Sequence, residues 1–165
     1  MLPLVLNPET ARVGLAGLGE AFERRRTLLA GGGITPVPVA ADSPLDGLSV
    51  LFIAGLEPAA SQALALRARQ AGLLVNVEDV PQLCDFHVPA ILRRGDLVFS
   101  ISTKGRSPAL ARRLREWLED QFGPEWEARL EELGGMREKL RADGVHGEAL
   151  AHRVRATIDG KEWLK

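Results

Sequence analysis

The sequence is poor in the residues that build several kinds of site. Its 165 residues include a single cysteine, Cys84, which excludes an internal disulfide bond. The three histidines, His87, His146 and His152, are scattered, and no cysteine cluster accompanies them. This spacing is not that of a metal site, so we expect no resident metal. No apolar run reaches the roughly 18 residues that a membrane-spanning helix needs, so no membrane partner is expected either.

An excess of charge of one sign is also missing. The chain has 21 basic and 22 acidic residues, a net charge of −1, which argues against a nucleic-acid partner for the chain as a whole. Residues 1–8 carry no basic side chain and include two prolines, which is unlike a signal peptide, so we expect a cytoplasmic protein. The 45% hydrophobic and 26% charged residues are typical of a globular chain.

Five short apolar runs without polar alternation suit strands that are buried on both faces of a parallel sheet. They cover residues 12–16, 34–39, 49–54, 73–77 and 97–102. Helical patterns at 19–30 and from Pro58 to Gly72 fall between them. The alternation predicts an α/β fold with an open parallel sheet of about five strands. Residues 40–48 are too short and too rich in turn residues for a helix, which indicates a pared-down sheet.

Residues 107–165 are predicted to be entirely helical. Ser107-Pro108 is a good helix start, and the Gly123-Pro124 and Gly134-Gly135 pairs are expected to break the helices that follow. An apolar stripe on the first of these helices should be buried; it comprises Leu110, Leu114, Trp117 and Leu118. Short helices with one apolar stripe bury little alone, so we expect a homodimer. The predicted domains are residues 1–106 and 107–165.

A glycine-rich turn follows the first predicted strand and opens the first predicted helix. Its sequence is Gly17-Leu18-Gly19-Glu20. The glycines would let the backbone approach a pyrophosphate, and the helix start supplies unpaired N–H groups. Phe22 stands where a dinucleotide fingerprint has a third small residue, and Asp42 is the best-placed acid for a ribose. The turn is therefore either a dinucleotide site or a tight turn without a ligand.

A polar loop follows the last predicted strand. Its sequence is Ser102-Thr103-Lys104-Gly105-Arg106-Ser107. Hydroxyl groups, a glycine, two cations and a helix start favour an anion site. From Arg93 to Arg115 there are seven basic residues and one acid, and the next stretch to Gly134 is acidic. The cations either hold a polyanionic ligand or pair with the acidic helix.

A carboxylate also follows the fourth predicted strand. Asp79 would lie at the carboxyl end of a central strand, where open α/β sheets bind ligands, and it could accept a proton there. An aspartate before a turn is also common without any chemistry. The spacing leaves both interpretations open.

Together these residues resemble the family of precorrin-2 dehydrogenase and sirohydrochlorin ferrochelatase, which also forms the amino-terminal module of siroheme synthase. The most specific stretch runs from Asn76 to Ala90 and continues from Arg93 to Ala111. The resemblance implies a Rossmann-like domain, then a dimerisation region and a small helical domain. It also implies NAD-dependent oxidation of precorrin-2 to sirohydrochlorin in siroheme biosynthesis.

The resemblance also assigns site residues. The essential aspartate of the family falls on Asp79, whose implied role is proton abstraction. The cofactor NAD would be bound by Gly17, Leu18, Gly19, Glu20, Asp42, Ala54 and Gly55. The tetrapyrrole, a polyanion edged with carboxylates, would be bound by Arg93, Arg94, Ser102, Thr103, Lys104, Gly105, Arg106 and Ser107.

Three departures from the family pattern bear on the cofactor and on the function. Lys104 replaces one of two adjacent glycines, and residues 40–48 replace a strand and a helix. Where the family has a small polar pair that contacts NAD after the third strand, this chain has Ala54-Gly55-Leu56-Glu57. A chain that kept the macrocycle site without NAD would be a carrier or a chelatase, which would insert iron or cobalt into sirohydrochlorin with Asp79 accepting the pyrrole protons. A non-catalytic tetrapyrrole- or nucleotide-binding module and a phosphate-binding regulator are also compatible with the sequence.

Overall fold

The computed structural model describes residues 2–164, which divide into two compact units between Val88 and Pro89. A four-stranded parallel sheet in the order β2-β1-β3-β4 forms the centre of the first unit. Its elements are β1 (Val13–Gly17), α1 (Gly19–Ala30), β2 (Val37–Pro38), β3 (Val50–Ala54), α2 (Pro58–Gln70) and β4 (Leu74–Val77), followed by a 3-10 turn at Pro81–Leu83.

Apolar side chains bury this sheet on both faces. Leu51 and Ile53 of β3 cluster with Leu64 of α2, whereas Val50 and Phe52 cluster with apolar residues that include Leu29 of α1. Alternate residues of one strand therefore face different helices, as the two-residue period of a strand requires. This is the Rossmann-like α/β arrangement that the sequence predicted. The helices pack on the two faces of the sheet, so the carboxyl ends of its strands lie at an edge that the helices do not cover.

The second unit combines a hairpin with helices. Strands β5 and β6 pair antiparallel with Arg94 opposite Leu97, so Gly95 and Asp96 form a two-residue turn in which Gly95 has a φ of 57°. The elements are β5 (Ala90–Arg94), β6 (Leu97–Ile101), α3 (Pro108–Gln121), α4 (Glu125–Ala142) and α5 (Gly147–Gly160).

Most of the predicted elements of the first unit are confirmed. The helix predicted at 19–30 has these bounds, and α2 begins at Pro58 as the proline-start pattern indicated. Residues 40–48 contain turns and no helix. Of the run at 34–39, only Val37–Pro38 pairs as a strand.

The prediction of a fifth strand in the parallel sheet is wrong. The run at 97–102 forms β6 and pairs antiparallel with β5, a strand that the apolar-run pattern did not predict. The Gly95-Asp96 turn brings the chain straight back, so no crossover helix can place β6 parallel to β4. The compact units divide between Val88 and Pro89, and the functional domain boundary at 106/107 stays a prediction.

One expectation for the helices is also wrong. Helix α4 runs through Gly134 and Gly135 without a break, because glycine weakens a helix but keeps its N–H donor. The packing of the single chain leaves the stripe on α3 exposed: Leu110, Leu114 and Trp117 are 51%, 40% and 57% exposed, so its burial against a second copy stays a prediction. The helix instead buries Ala111 on its inner side.

Candidate functional site

The turn after β1 is fixed by backbone contact with the end of β3. The Leu18 N–H donates to the Ala54 carbonyl oxygen at 3.1 Å. Gly17 has a φ of 145°, and a Cβ there would lie 1.7 Å from that same oxygen. Gly55 has a φ of 73°, and its Cβ would lie 2.2 Å from the Leu18 carbonyl oxygen. The structure thus brings Gly17, Leu18, Ala54 and Gly55 together, and the two glycines are needed to form the turn.

Gly19 differs from these two glycines because the space beside it is open. It has a φ of 66° at the start of α1, and a Cβ would meet nothing within 4 Å. Leu18 provides no side-chain cap, so the first N–H groups of α1 have no side-chain acceptor from the capping position. These features fit the pyrophosphate of a dinucleotide, which needs close backbone approach and N–H donors. Glu20 is exposed and pairs with Arg24 at 3.8 Å.

Asp42 lies just beyond β2. The Ser43 N–H donates to the Ala40 carbonyl oxygen at 3.2 Å, which closes a tight turn with exposed Asp42 near its tip. Because β1 and β2 are parallel, this turn and the glycine turn follow the same edge of the sheet. An acid in this position can hydrogen-bond the hydroxyls of a ribose.

Asp79 follows β4 at the same carboxyl edge. The Glu78 N–H donates to the Ile53 carbonyl oxygen at 2.9 Å, which extends the pairing of β3 and β4 by one residue. Asp79 then adopts a φ of 59°, a left-handed conformation that is uncommon outside glycine, and its side chain is exposed. Within residues 2–164 its carboxylate forms no ion pair. It is therefore open to solvent and to a ligand, and it can accept a proton.

Two cations from α1 hold the residue before Asp79. Arg24 and Arg25 each lie 3.8 Å from the Glu78 carboxylate. The Arg25 side chain is only 11% exposed and stacks over the Phe52 ring at 5.2 Å. Burial lowers the pKa of Arg25 from its usual value, while Glu78 acts in the opposite direction. Glu78 lies in the stretch that resembles the family, but the sequence did not predict its pairing with Arg25, because the two positions are more than fifty residues apart.

Hydrogen bonds and an ion pair hold the loop of residues 84–86 against β4. The Asp85 carboxylate accepts from the Val75 N–H at 2.9 Å and pairs with Arg69 at 2.9 Å. The Cys84 thiol contacts the N–H and carbonyl of Val77. Asn76 donates to a carbonyl in the same loop. The only sequence signal for these residues was their place in the stretch that resembles the family.

The polar loop of the second unit is tied together by its own hydroxyl groups. The Thr103 hydroxyl donates to the Ser107 carbonyl oxygen and accepts from the Ser107 N–H. The Ser107 hydroxyl in turn accepts from the Leu110 N–H and caps α3. Lys104 has a φ of 56° and Gly105 a φ of 73°. The loop therefore presents Lys104 and Arg106 beside the start of α3.

The cations between Arg93 and Arg115 have two different roles. Arg94 donates to the carbonyl oxygens of Phe122 and Glu119 at 2.6 and 3.3 Å, so it caps the end of α3. Three arginines of α3 pair with acids of the same helix, and hydrogen bonds from two of them lower the pKa of Glu116; they are Arg112, Arg113 and Arg115. Within residues 2–164, Arg93, Lys104 and Arg106 form no ion pair. Of the predicted anion-binding arginines and lysine, these three are available.

The described residues also bear on metals and membranes. From residue 2 to residue 164, no three His, Cys, Asp or Glu side chains are grouped so that they could hold a metal ion. Over the same residues, none of the helices has the length and hydrophobicity to cross a membrane.

Comparison with known proteins finds sequence relatives of this chain. A family described as putative NAD(P)-binding matches residues 20–90. The siroheme synthase of Methylococcus capsulatus is 29% identical over 96% of this chain and 38% of its own length. The siroheme biosynthesis protein met8 of Schizosaccharomyces pombe is 31% identical over 69% of this chain and 43% of its own length. The chain thus spans less than half the length of these curated relatives.

A solved structure extends the comparison to the fold. The precorrin-2 dehydrogenase SirC superposes with a TM-score of 0.78 at 20% identity, covering 100% of this chain and 93% of that one. At this identity the likeness concerns the fold, whereas the sequence matches concern the family. The chain has an NAD(P)-binding domain, and its sequence matches show that it belongs to the family of precorrin-2 dehydrogenase and sirohydrochlorin ferrochelatase.

Proposed function

We propose that this chain oxidises precorrin-2 to sirohydrochlorin with NAD as the hydride acceptor. The observation that carries the proposal is the shared edge of one parallel sheet, where open Gly19, exposed Asp42 and exposed Asp79 follow β1, β2 and β4. A phosphate-binding turn, a ribose acceptor and a proton acceptor are the three groups that a dinucleotide-dependent oxidation needs. The names of the relatives support the same reaction.

The chemistry divides into a hydride and a proton. Bound NAD would supply the acceptor for the hydride that leaves the macrocycle. The remaining proton passes to the Asp79 carboxylate, which releases it to water after turnover. The left-handed backbone at Asp79 directs this carboxylate away from the buried end of β4. Gly19 and the start of α1 would hold the pyrophosphate, and Asp42 would hold a ribose.

We assign the carboxylates of the macrocycle to the second unit. Of the four cations predicted to bind the macrocycle, Arg93, Lys104 and Arg106 form no ion pair among residues 2–164, and each can form charge-assisted hydrogen bonds with carboxylates. Ser102, Thr103, Gly105 and Ser107 shape the loop that carries two of these cations. We do not assign Arg94 to the substrate, because its guanidinium caps α3.

Asp79→Asn tests the proposal. Asparagine tolerates the left-handed conformation, so this variant keeps its fold but loses the basic carboxylate. We expect turnover to fall by about 10²-fold or more, with NAD binding unchanged. The assay adds the chain to precorrin-2 made without oxygen, with and without NAD, and follows the absorbance of sirohydrochlorin. Asp46→Asn, which changes an exposed aspartate in another turn of the same unit, is the control.

The results separate the candidate functions. NAD-dependent conversion by the wild type that is lost only in Asp79→Asn supports the dehydrogenase. Tight macrocycle binding without NAD-dependent conversion rejects it. Insertion of Fe²⁺ or Co²⁺ into sirohydrochlorin is the second candidate, because exposed Asp79 could accept pyrrole protons without NAD. The same variants, assayed with sirohydrochlorin and the metal, test it.

Three finer assignments belong to this proposal. Asp42 favours NAD over NADP because a carboxylate accepts from the ribose 2′-hydroxyl and repels a 2′-phosphate. The exposed stripe of Leu110, Leu114 and Trp117 favours a homodimer. We place the cofactor function in the domain predicted at residues 1–106, the dimerisation function in residues 107–165, and the reaction in the cytoplasm.

A further inference from the structure

The Arg67 guanidinium forms hydrogen bonds with the turn that carries Asp42. Arg67 lies on α2, and its two terminal nitrogens donate to the main-chain carbonyl oxygens of Ala41 and Ser43, the second at 2.9 Å. These two carbonyls belong to the residues on either side of Asp42. The Ser43 hydroxyl accepts from the Ala40 N–H at 2.9 Å and tightens the same turn. Asp42 is therefore held between two fixed peptide groups while its side chain stays exposed.

The environment of Arg67 indicates that its guanidinium is held in place for these two hydrogen bonds. Its Nε is buried and has no hydrogen-bond partner among the described residues, so its burial is incompletely compensated. Within residues 2–164 the Arg67 guanidinium forms no ion pair. Its hydrogen bonds to Ala41 and Ser43 are both made to main-chain carbonyl oxygens. Residues 40–48 form neither a helix nor a strand, so their own backbone pairing fixes this turn only weakly.

We infer that Arg67 is a positioning residue that fixes Asp42 as the ribose acceptor and thereby sets the preference for NAD over NADP. The inference rests on the proposed dinucleotide function. A carboxylate discriminates against the 2′-phosphate only if it stays where that phosphate would lie. A loose turn lets the carboxylate swing away, which weakens the bond to a 2′-hydroxyl and relieves the repulsion of a phosphate.

Arg67→Met is the direct test, since methionine keeps an apolar stem and removes both hydrogen bonds. The readouts are the dissociation constants of NAD and NADP, measured by calorimetry on the full chain. We expect NAD to bind roughly tenfold more weakly, while NADP binds as well as before or better. Asp42→Ala should shift the ratio of the two constants in the same direction. Arg67→Lys, which can still donate to one carbonyl, should restore part of the preference.

Arg69→Met is the matched control. Arg69 lies on the same helix, but its guanidinium binds the Leu83 carbonyl and Asp85 in a different loop. This variant should leave the NAD/NADP ratio unchanged. A merely structural role for Arg67 would weaken both dinucleotides equally, so an unchanged ratio in Arg67→Met overturns the inference.

Amide hydrogen exchange separates this inference from the proposed function. The Ser43 N–H should exchange faster in Arg67→Met and at the wild-type rate in Arg69→Met, whether or not a dinucleotide binds. If the wild type binds neither NAD nor NADP, the proposed function fails and the selectivity role fails with it. If the wild type binds NAD and Arg67→Met keeps both the ratio and the exchange rate, only the inference about Arg67 fails.

Discussion

At the scale of single residues, the glycines of the cofactor turn have two different roles. Gly17 and Gly55 lie where a Cβ would meet main-chain oxygens at 1.7 and 2.2 Å, so they are required by the fold itself. Gly19 has the same left-handed preference but open space beside it. A substitution at Gly19 therefore reports on the ligand, whereas a substitution at Gly17 or Gly55 reports on the turn.

Gly19→Ala should weaken NAD binding with only a modest loss of stability. The left-handed backbone costs alanine about 1 kcal/mol. The added methyl group occupies the space through which a pyrophosphate would approach, so we expect roughly tenfold weaker NAD binding. Calorimetry with NAD and thermal denaturation measure the two effects separately.

Gly72→Ala is the control for this substitution. Gly72 has a φ of 83°, and a Cβ there also meets nothing within 4 Å, but it lies after α2, outside the proposed site. It should lose similar stability and keep the NAD affinity. Equal NAD affinity in both variants would show that the open space at Gly19 is not a phosphate site.

The sequence was informative at this scale wherever a residue follows a strand. Asp79 and the glycine turn could be predicted because ligands bind at the carboxyl ends of parallel strands. The residues that hold them could not, since Arg25 meets Glu78 and Arg67 meets Ala41 only after the sheet has assembled. The cation count near residue 104 also overstated the anion site, because four of its seven basic residues cap or pair within α3.

At the scale of elements, the sequence predicts best where end signals accompany periodicity. Pro58 at the start of α2 and the glycines after α1 bound these helices correctly. The apolar run at 97–102 was correctly predicted as a strand but placed in the wrong sheet, because a buried run does not indicate its partner. The Gly95-Asp96 pair is a two-residue hairpin signal, and it points to a strand on its amino-terminal side, where β5 lies.

Substitution of the glycines inside α4 should raise stability, whereas substitution of Gly19 or Gly72 should lower it. Gly134 and Gly135 lie in the helix interior with nothing within 4 Å of an added Cβ. Gly134→Ala and Gly135→Ala should each raise stability by about 0.5–1 kcal/mol, because alanine loses less backbone entropy in a helix. The midpoint of thermal denaturation, followed by circular dichroism, should rise by a few degrees.

Gly144→Ala provides the matched control for α4. Gly144 also has open space around its Cβ position, but its φ of 80° lies just beyond the end of the helix. The same substitution should therefore lower the midpoint. A destabilised Gly134→Ala would mean that something outside the described contacts packs against α4 at that position.

At the scale of the whole molecule, packing within one chain does not explain the exposed apolar stripe on α3. Leu110, Leu114 and Trp117 lie at i, i+4 and i+7, so they form one continuous stripe, and all three are at least 40% exposed. Ala111, which follows Leu110 by about 100° around the helix, already packs in the second unit at the border of this stripe. An apolar stripe that the chain's own packing leaves exposed indicates a further packing partner, which the proposed homodimer would supply.

A double substitution in this stripe tests the homodimer. We expect light scattering to give twice the 17.9 kDa chain mass for the wild type and the single mass for Leu114→Glu/Trp117→Glu. Two carboxylates would have to leave water to form the interface, which costs far more than the apolar contacts return. Circular dichroism should be unchanged, because both positions are already exposed within the chain. Leu66→Glu, at a 57% exposed leucine of α2, should leave the wild-type mass unchanged. A wild type that remains monomeric at high micromolar concentration would contradict the homodimer and leave the stripe to a different partner.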